Sequence, residues 1–274
     1  MTDPVPTLNV LAIDTSTELC SAAALTRDGR SFLRSTLTER SHAELILPMV
    51  DEVLADAQMT LHDLDGLAFG RGPGGFTGLR IAAGVVQGLA YGAGLKVAPV
   101  SSLAAVAYLV ACPADLGEAA RRAGEGSARD RPSPDLRSTS PASAEQVAEG
   151  ILVCNDARMN ELYWACYRFE AADGRHAHAV TPERVSAPDR VEPAVGVRHF
   201  AGNGIARYPE LRARLEAAGL QFHENLYPRA DAIARLGAAM LAQGEGVDAT
   251  QALPTYVRDD VARPASKPPV TGMS

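Results

Sequence analysis

The sequence predicts an α/β chain of two lobes, each with a mixed sheet and covering helices. Three observations carry this prediction. The chain opens with three apolar runs, Leu8 to Ile13, Leu19 to Leu25 and Arg30 to Leu37, with the turn signal Asp28-Gly29 between the last two. That is an antiparallel meander, unlike the start of a doubly wound dinucleotide domain. A helix, a strand, a glycine turn, a second helix, a strand and a third helix follow before residue 110. After residue 150 the same succession begins again in looser form.

Taken in order, the first strand runs into Asp14-Thr15-Ser16-Thr17, where polar side chains close a turn. Ser41-His42-Ala43-Glu44 has the spacing of a capping box and opens the first helix. Ile46, Val50, Val53, Leu54 and Ala57 follow the helical period, and Leu45, Leu47 and Met49 add apolar surface on other faces. This helix is apolar over more width than one sheet covers, and Pro48 is expected to kink it. Leu64 to Phe69 is a strand, Lys96 to Val100 another, and Ser101-Ser102 caps a helix to about Val110. Residues 111–150 are expected to form an insertion, disordered at its centre, because Glu125 to Ala144 lacks any apolar period. Gly150 to Cys154 and Glu161 to Phe169 are strands joined by the turn Asn155 to Asn160. His199 to Gly204 is a short strand and glycine turn before a helix around Glu210 to Ala218. Ile233, Leu236, Met240 and Leu241 mark a last helix, about 228–245, expected to pack back on the first lobe. The expected division is therefore a lobe at 1–110, the insertion, a smaller lobe at 151–227 and an extended, Pro-rich tail at 253–274.

The densest chemical signal is the loop Gly70-Arg71-Gly72-Pro73-Gly74-Gly75-Phe76-Thr77-Gly78 between a strand and a helix. So many glycines imply a turn whose backbone passes close to something, either a phosphate or the protein itself. A P-loop is excluded, since no Lys follows Gly75. Gly70, Gly72 and Gly75 match the dinucleotide fingerprint literally, but no acidic residue lies between Asp65 and Asp115 to hold a ribose. In the following helix Gly84, Gly88 and Gly92 fall in one row. Each costs about 1 kcal/mol against Ala, which calls for a reason. Close approach of a second helix supplies one, and Ile81, Val85 and Leu89 form an adjacent apolar row able to meet the sheet. Arg80 and Lys96 bracket about 15 residues, short of the ~20 that span a bilayer.

Composition narrows the function. At 274 residues and 46% hydrophobic, the chain can build a real core. A net charge of −7 argues against nucleic-acid binding through a broad basic surface of its own. Cys20, Cys112, Cys154 and Cys166 are far apart without a CxxC, as expected of reduced core residues in a cytoplasmic protein. No signal peptide and no membrane span are read. The six histidines form no helical pair, so no metal site is expected, and no Gly-x-Ser-x-Gly elbow offers a nucleophile. No catalytic residue is assigned.

The meander ending in Asp-Thr-Ser-Thr, with its looser repeat, resembles the duplicated, ribonuclease H-like fold of the actin, sugar kinase and Hsp70 ATPase superfamily. More closely, the chain resembles the TsaB (YeaZ) family of tRNA threonylcarbamoyladenosine biosynthesis. The residues that carry this are Leu11 to Thr17, Ser41 to Val50, the glycine loop through Arg80, Ile81 to Gly92, Asn155 to Ala165 and Thr255 to Ala262. The resemblance implies a noncatalytic scaffold for a TsaD-like transferase, which modifies the adenosine beside the anticodon, together with a TsaE-like ATPase. Any ATP, ADP or metal is then expected on those partners, with tRNA met indirectly through the complex. The resemblance also implies a partner interface on two helices, through Ser41, His42, Leu45, Ile46, Met49 and Val53 on the first and Arg80, Ile81, Gly84, Val85, Gly88 and Gly92 on the second. A homodimer through the same surface is a further implication. Asp14, Thr15, Ser16 and Thr17 resemble the phosphate-facing turn of the superfamily and are candidates for a vestigial nucleotide site. The competing reading is that Asp14 only closes its turn, and it is the favoured one, since a phosphate site needs several convergent donors. A small-molecule phosphotransferase of the same superfamily stands as the alternative function.

Overall fold

The computed structural model describes residues 8–113, 149–169 and 176–258. The expected insertion lies almost wholly outside the described residues, as does the tail beyond residue 258. The first sheet contains β1 (Val10–Asp14), β2 (Leu19–Leu25), β3 (Ser31–Leu37), β4 (Gly66–Gly72) and β5 (Val97–Ser101), in the order β3-β2-β1-β4-β5. Its first three strands are antiparallel and its last two join in parallel. The second contains β6 (Gly150–Asp156), β7 (Leu162–Phe169), β8 (Ala177–Ala179), β9 (Arg184–Ser186), β10 (Val197–Ala201) and β11 (Gln221–His223). Its order is β11-β10-β6-β7-β8, with β9 paired beside β8 on β7. The two orders coincide strand for strand, so the chain is a duplicated α/β unit. The small strands β8, β9 and β11 carry no clear alternation, and the sequence does not announce them.

Helices α1 (His42–Asp56) and α2 (Phe76–Ala93) cover one face of the first sheet. Between the two sheets lie α3 (Ser102–Ala111) and α5 (Ala230–Ala242), and α4 (Pro209–Ala217) backs the second sheet. Every residue of α3 from Ser102 to Val110 is buried, as a helix apolar on all sides must be. Its start is fixed by the Ser101 hydroxyl, which accepts from Ala104 N at 3.2 Å. Residues of both sheets, such as Val10 and Ala12 with Ile151 and Val153, join α3 and α5 in one core. None of the four cysteines forms a disulfide, and three of them are buried in the sheets.

Two local expectations are corrected. The Ser41 hydroxyl makes no cap bond. Ser41 N instead donates to Thr38 Oγ1 at 3.2 Å, and the helix start is closed by Glu44 N bonded to Ser41 O. Nor does Ile81, Val85 and Leu89 make the sheet-facing row of α2, because Leu79, Ala82, Ala83, Val86 and Ala90 do. Those three side chains are half-buried at the flank of the same core.

α5 approaches the first sheet closely because it is rich in alanine and carries Gly237 over Ala68. A Cβ on Gly237 would lie 2.5 Å from Ala68 Cβ. Gly237→Val is therefore expected to destabilise the protein by about 1–3 kcal/mol in urea unfolding. An unchanged midpoint would contradict this packing.

Candidate functional site

The site begins where β1 ends. Asp14 Oδ1 accepts from Ser16 N at 3.0 Å and Ser16 Oγ at 2.9 Å, closing the turn into β2. Asp14 has no exposed surface, and burial pushes its carboxyl up to about 7, with the Ser16 bonds opposing. It faces the interior. Thr17 O, on the same turn, takes a hydrogen bond from His42 Nε2 at 2.8 Å.

The glycine loop packs directly on this turn. A Cβ at Gly70 would meet Asp14 Oδ2 at 1.8 Å, one at Gly74 would meet Ser16 O at 2.4 Å, and one at Gly78 would meet Thr15 O at 1.8 Å. Gly75 N donates to Ser16 O at 2.7 Å, and Thr15 Oγ1 donates to Gly78 O at 2.7 Å. The close neighbour that the glycines imply is thus the protein's own backbone. Gly72 has φ +106, a left-handed conformation open to glycine. Pro73 follows it and is buried.

The loop also meets the second lobe and the tail. Arg71 pairs with Glu183 at 3.3 Å, and Arg71 O accepts from Thr255 N at 2.7 Å. Glu183 accepts from Tyr167 OH at 3.0 Å and from Ser101 Oγ, so four polar groups join the lobes. The Tyr167 phenol is pushed above its usual range by burial and then by the Glu183 charge. At the start of α2 the Phe76 ring lies 5.4 Å from that of Tyr256. The Arg80 guanidinium stands 3.8 Å over Phe76 and its Nε donates to Tyr256 OH at 3.1 Å. Arg258 then pairs with Glu161 and bonds Met159 Sδ at 3.2 Å. Arg158, Met159 and Asn160 are three successive residues at positive φ (62, 53 and 58) in the β6–β7 turn. These segments enclose a cleft of about 540 Å³, bordered by Thr15 to Glu18, Thr38 to Arg40, Pro73 to Gly78 and Asp156 to Arg158.

The predicted interface residues separate into three groups. Gly84, Gly88 and Gly92 are exposed on α2, no atom outside their own turns of helix backbone lies within 4 Å of a Cβ built on any of them, and Arg80 extends the row. Ser41, Leu45, Ile81 and Val85 are half-buried. His42, Ile46, Met49 and Val53 are buried in this chain's own core, which corrects their assignment to a partner surface. Their spacing of four, three and four residues is the stripe by which α1 faces the sheet. Sequence reasoning named Leu47 as apolar surface but left it out of the interface, and passed over Tyr91; they are 48% and 81% exposed on the outer surfaces of these helices. Thr77 is also exposed.

Elsewhere, Gly202-Asn203-Gly204 is a packed connection. A Cβ at Gly202 would meet Cys154 O at 2.2 Å, and Asn203 Nδ2 reaches Glu18 Oε2 across the lobes at 3.2 Å. Among the described residues, no group of three or more His, Cys, Asp and Glu side chains is arranged to hold a metal. None of their helices is long and apolar enough to cross a membrane.

Fold and site together define a two-lobed actin-like α/β protein whose glycine loop closes on its own first turn. Comparison with known proteins agrees. The chain is 34% identical to the tRNA threonylcarbamoyladenosine biosynthesis protein TsaB of Escherichia coli, over 93% of this chain and 96% of that one. It is 32% identical to TsaB of Haemophilus influenzae, over 93% and 95%. YeaZ from Pseudomonas aeruginosa superposes with a TM-score of 0.67 at 35% identity, covering 91% of this chain and 99% of that one. Residues 35–117 also match the model of the family TsaD, tRNA N6-adenosine threonylcarbamoyltransferase. The chain belongs to the TsaB (YeaZ) family.

The two sets of glycines should behave oppositely. Gly78→Ala drives a Cβ into a backbone carbonyl and is expected to cost about 1–3 kcal/mol. Gly88→Ala, with open space around it, is expected to gain roughly 0.5–1 kcal/mol from helix propensity. Urea unfolding of both variants tests this, and equal effects would contradict the packing.

Proposed function

We propose that this chain is a noncatalytic subunit in tRNA threonylcarbamoyladenosine biosynthesis, docking and supporting a TsaD-like transferase. The transferase forms N6-threonylcarbamoyladenosine beside the anticodon. The observation that carries the reading is the outward glycine row of α2, Gly84, Gly88 and Gly92, with nothing against it. Three glycines in a helix interior together give up roughly 3 kcal/mol of helix propensity. A partner helix packed backbone to backbone on the row offsets that loss. Arg80, Tyr91 and the half-buried Ile81 and Val85 border the same face.

The match of residues 35–117 to the transferase family supports this choice of surface. Those residues hold α1, α2 and α3, so the partner is expected to carry a related helical face. Two related faces can pair about a pseudo-two-fold axis, and the same geometry allows a homodimer. Nucleotide and metal belong, in this proposal, to the TsaD-like and TsaE-like partners, and tRNA is reached through the complex. The acidic net charge of −7 fits phosphate contacts made by the partner. The setting is the cytoplasm.

The phosphotransferase reading fares worse. Asp14 faces the interior, the Thr15 hydroxyl donates to Gly78 O and the Ser16 hydroxyl donates to Asp14, so both hydroxyls are engaged within the protein. Mixing the chain with the TsaD-like protein of its own organism, by size-exclusion chromatography with light scattering, is expected to give a heteromeric peak. Gly88→Leu should abolish it while the variant alone remains folded. A peak unaffected by Gly88→Leu would place the interface elsewhere. Mg·ATP binding by the chain alone, lost on Asp14→Ala, would favour the phosphotransferase.

A further inference from the structure

Asp14 lies where three elements meet, and one of its oxygens is unmatched. Oδ2 has no hydrogen-bond partner, and neither does the buried Ser102 Oγ at the start of α3. Both atoms border Gly70, since a Cβ there would lie 1.8 Å from Oδ2 and 3.1 Å from Ser102 Oγ. Among the described residues the hydrogen bonds of Asp14 come from Ser16 and none from a cation, and His42 of α1 meets Thr17 O of the same turn instead. From β2 come Cys20 and Ser21, and the Cys20 thiol is pushed up to about 12 by burial and then by the Asp14 charge. From β4, Arg71 pairs with Glu183 instead. From α3 comes Ser102, which does not ionise. At the start of α5, Asp231 pairs with Arg229, the residue just before the helix, at 2.7 Å, beside the bond from Ala230 N to Ser21 Oγ.

A bare carboxylate in such a place is costly, whereas a proton removes the charge. Asp14 is also mechanically linked to the glycine loop. Its Oδ1 holds Ser16, and Ser16 O holds Gly75 N at the start of α2. We propose that Asp14 is a proton-controlled latch: protonated, it seals the junction of the β1–β2 turn, glycine loop and α3, and ionised, it loosens the loop from Ser16. The inference does not depend on which partner docks on α2.

The sign follows from linkage. Burial raises the carboxyl from 3.8 to about 7 in the closed junction. The favourable term is therefore complete below the ordinary carboxyl range and declines as pH rises toward 7, beyond which it is lost.

Hydrogen exchange of the Gly75 amide, measured by NMR from pH 5 to 9 and corrected for intrinsic chemistry, tests the latch. The opening constant is expected to rise roughly fifty-fold between pH 5 and pH 7 and about twofold above. Amides of β6 and β10 should show no such rise, and Asp14→Asn should flatten the Gly75 profile. A flat wild-type profile, or the same rise in Asp14→Asn, would overturn the proposal. The carbon shift of the Asp14 carboxyl decides the matter even if that variant does not fold. A midpoint above pH 6 is expected, and one below pH 5 would overturn it.

Discussion

The fold depends on the backbone contact between the glycine loop and the β1–β2 turn. Three glycines, Gly70, Gly74 and Gly78, leave no room for a Cβ against Asp14, Ser16 and Thr15. Two hydrogen bonds, Gly75 N to Ser16 O and Thr15 Oγ1 to Gly78 O, fix the register of that contact. Because α2 begins at Phe76, the contact also sets the direction of α2. One row of α2 then meets the sheet and the glycine row points outward. A loop that in a phosphate-binding protein would hold a ligand holds a strand end here.

The second constraint is the core shared by the two lobes. α3 is buried between the sheets, and α5 returns from the far end of the chain to lie on the first sheet. The lobes are therefore not independent bodies joined by a linker. The polar group of Arg71, Glu183, Ser101 and Tyr167 ties them at the cleft, and the segment from Ala252 to Arg258 crosses the glycine loop to reach Glu161. Buried polar groups of this kind specify geometry when each is satisfied. Asp14 Oδ2 and Ser102 Oγ are exceptions to that satisfaction, and they lie next to the contact that matters most.

Much of this was legible in the residues. The meander, the glycine turn and the long helices announce themselves by period and by turn chemistry. The outward glycine row was legible too, since three glycines on one helical face need a reason. The face that α1 turns to its own sheet was not. His42, Ile46, Met49 and Val53 recur at four, three and four residues, a pattern equally suited to a sheet or to another helix, and here the sheet takes it. Tyr91 carried no periodic signal, being a single aromatic among small residues. The link from Arg71 to Glu183 spans 112 positions and comes from different lobes, so no local pattern could show it. The short strands of the second lobe, such as Gln221–His223, are too brief and polar for alternation to mark them.

The outer face of α2, left open as the glycine loop closes on the first turn, is the proposed docking surface. Hydroxyl-radical footprinting of the chain with and without its TsaD-like partner tests it most directly. Tyr91, 81% exposed on α2, and Met159, 81% exposed in the β6–β7 turn next to the cleft residue Arg158, are the two reporters. The account predicts that Tyr91 becomes protected on assembly while Met159 stays reactive. Protection of Met159 with Tyr91 unchanged would contradict it, and would put the partner at the cleft instead.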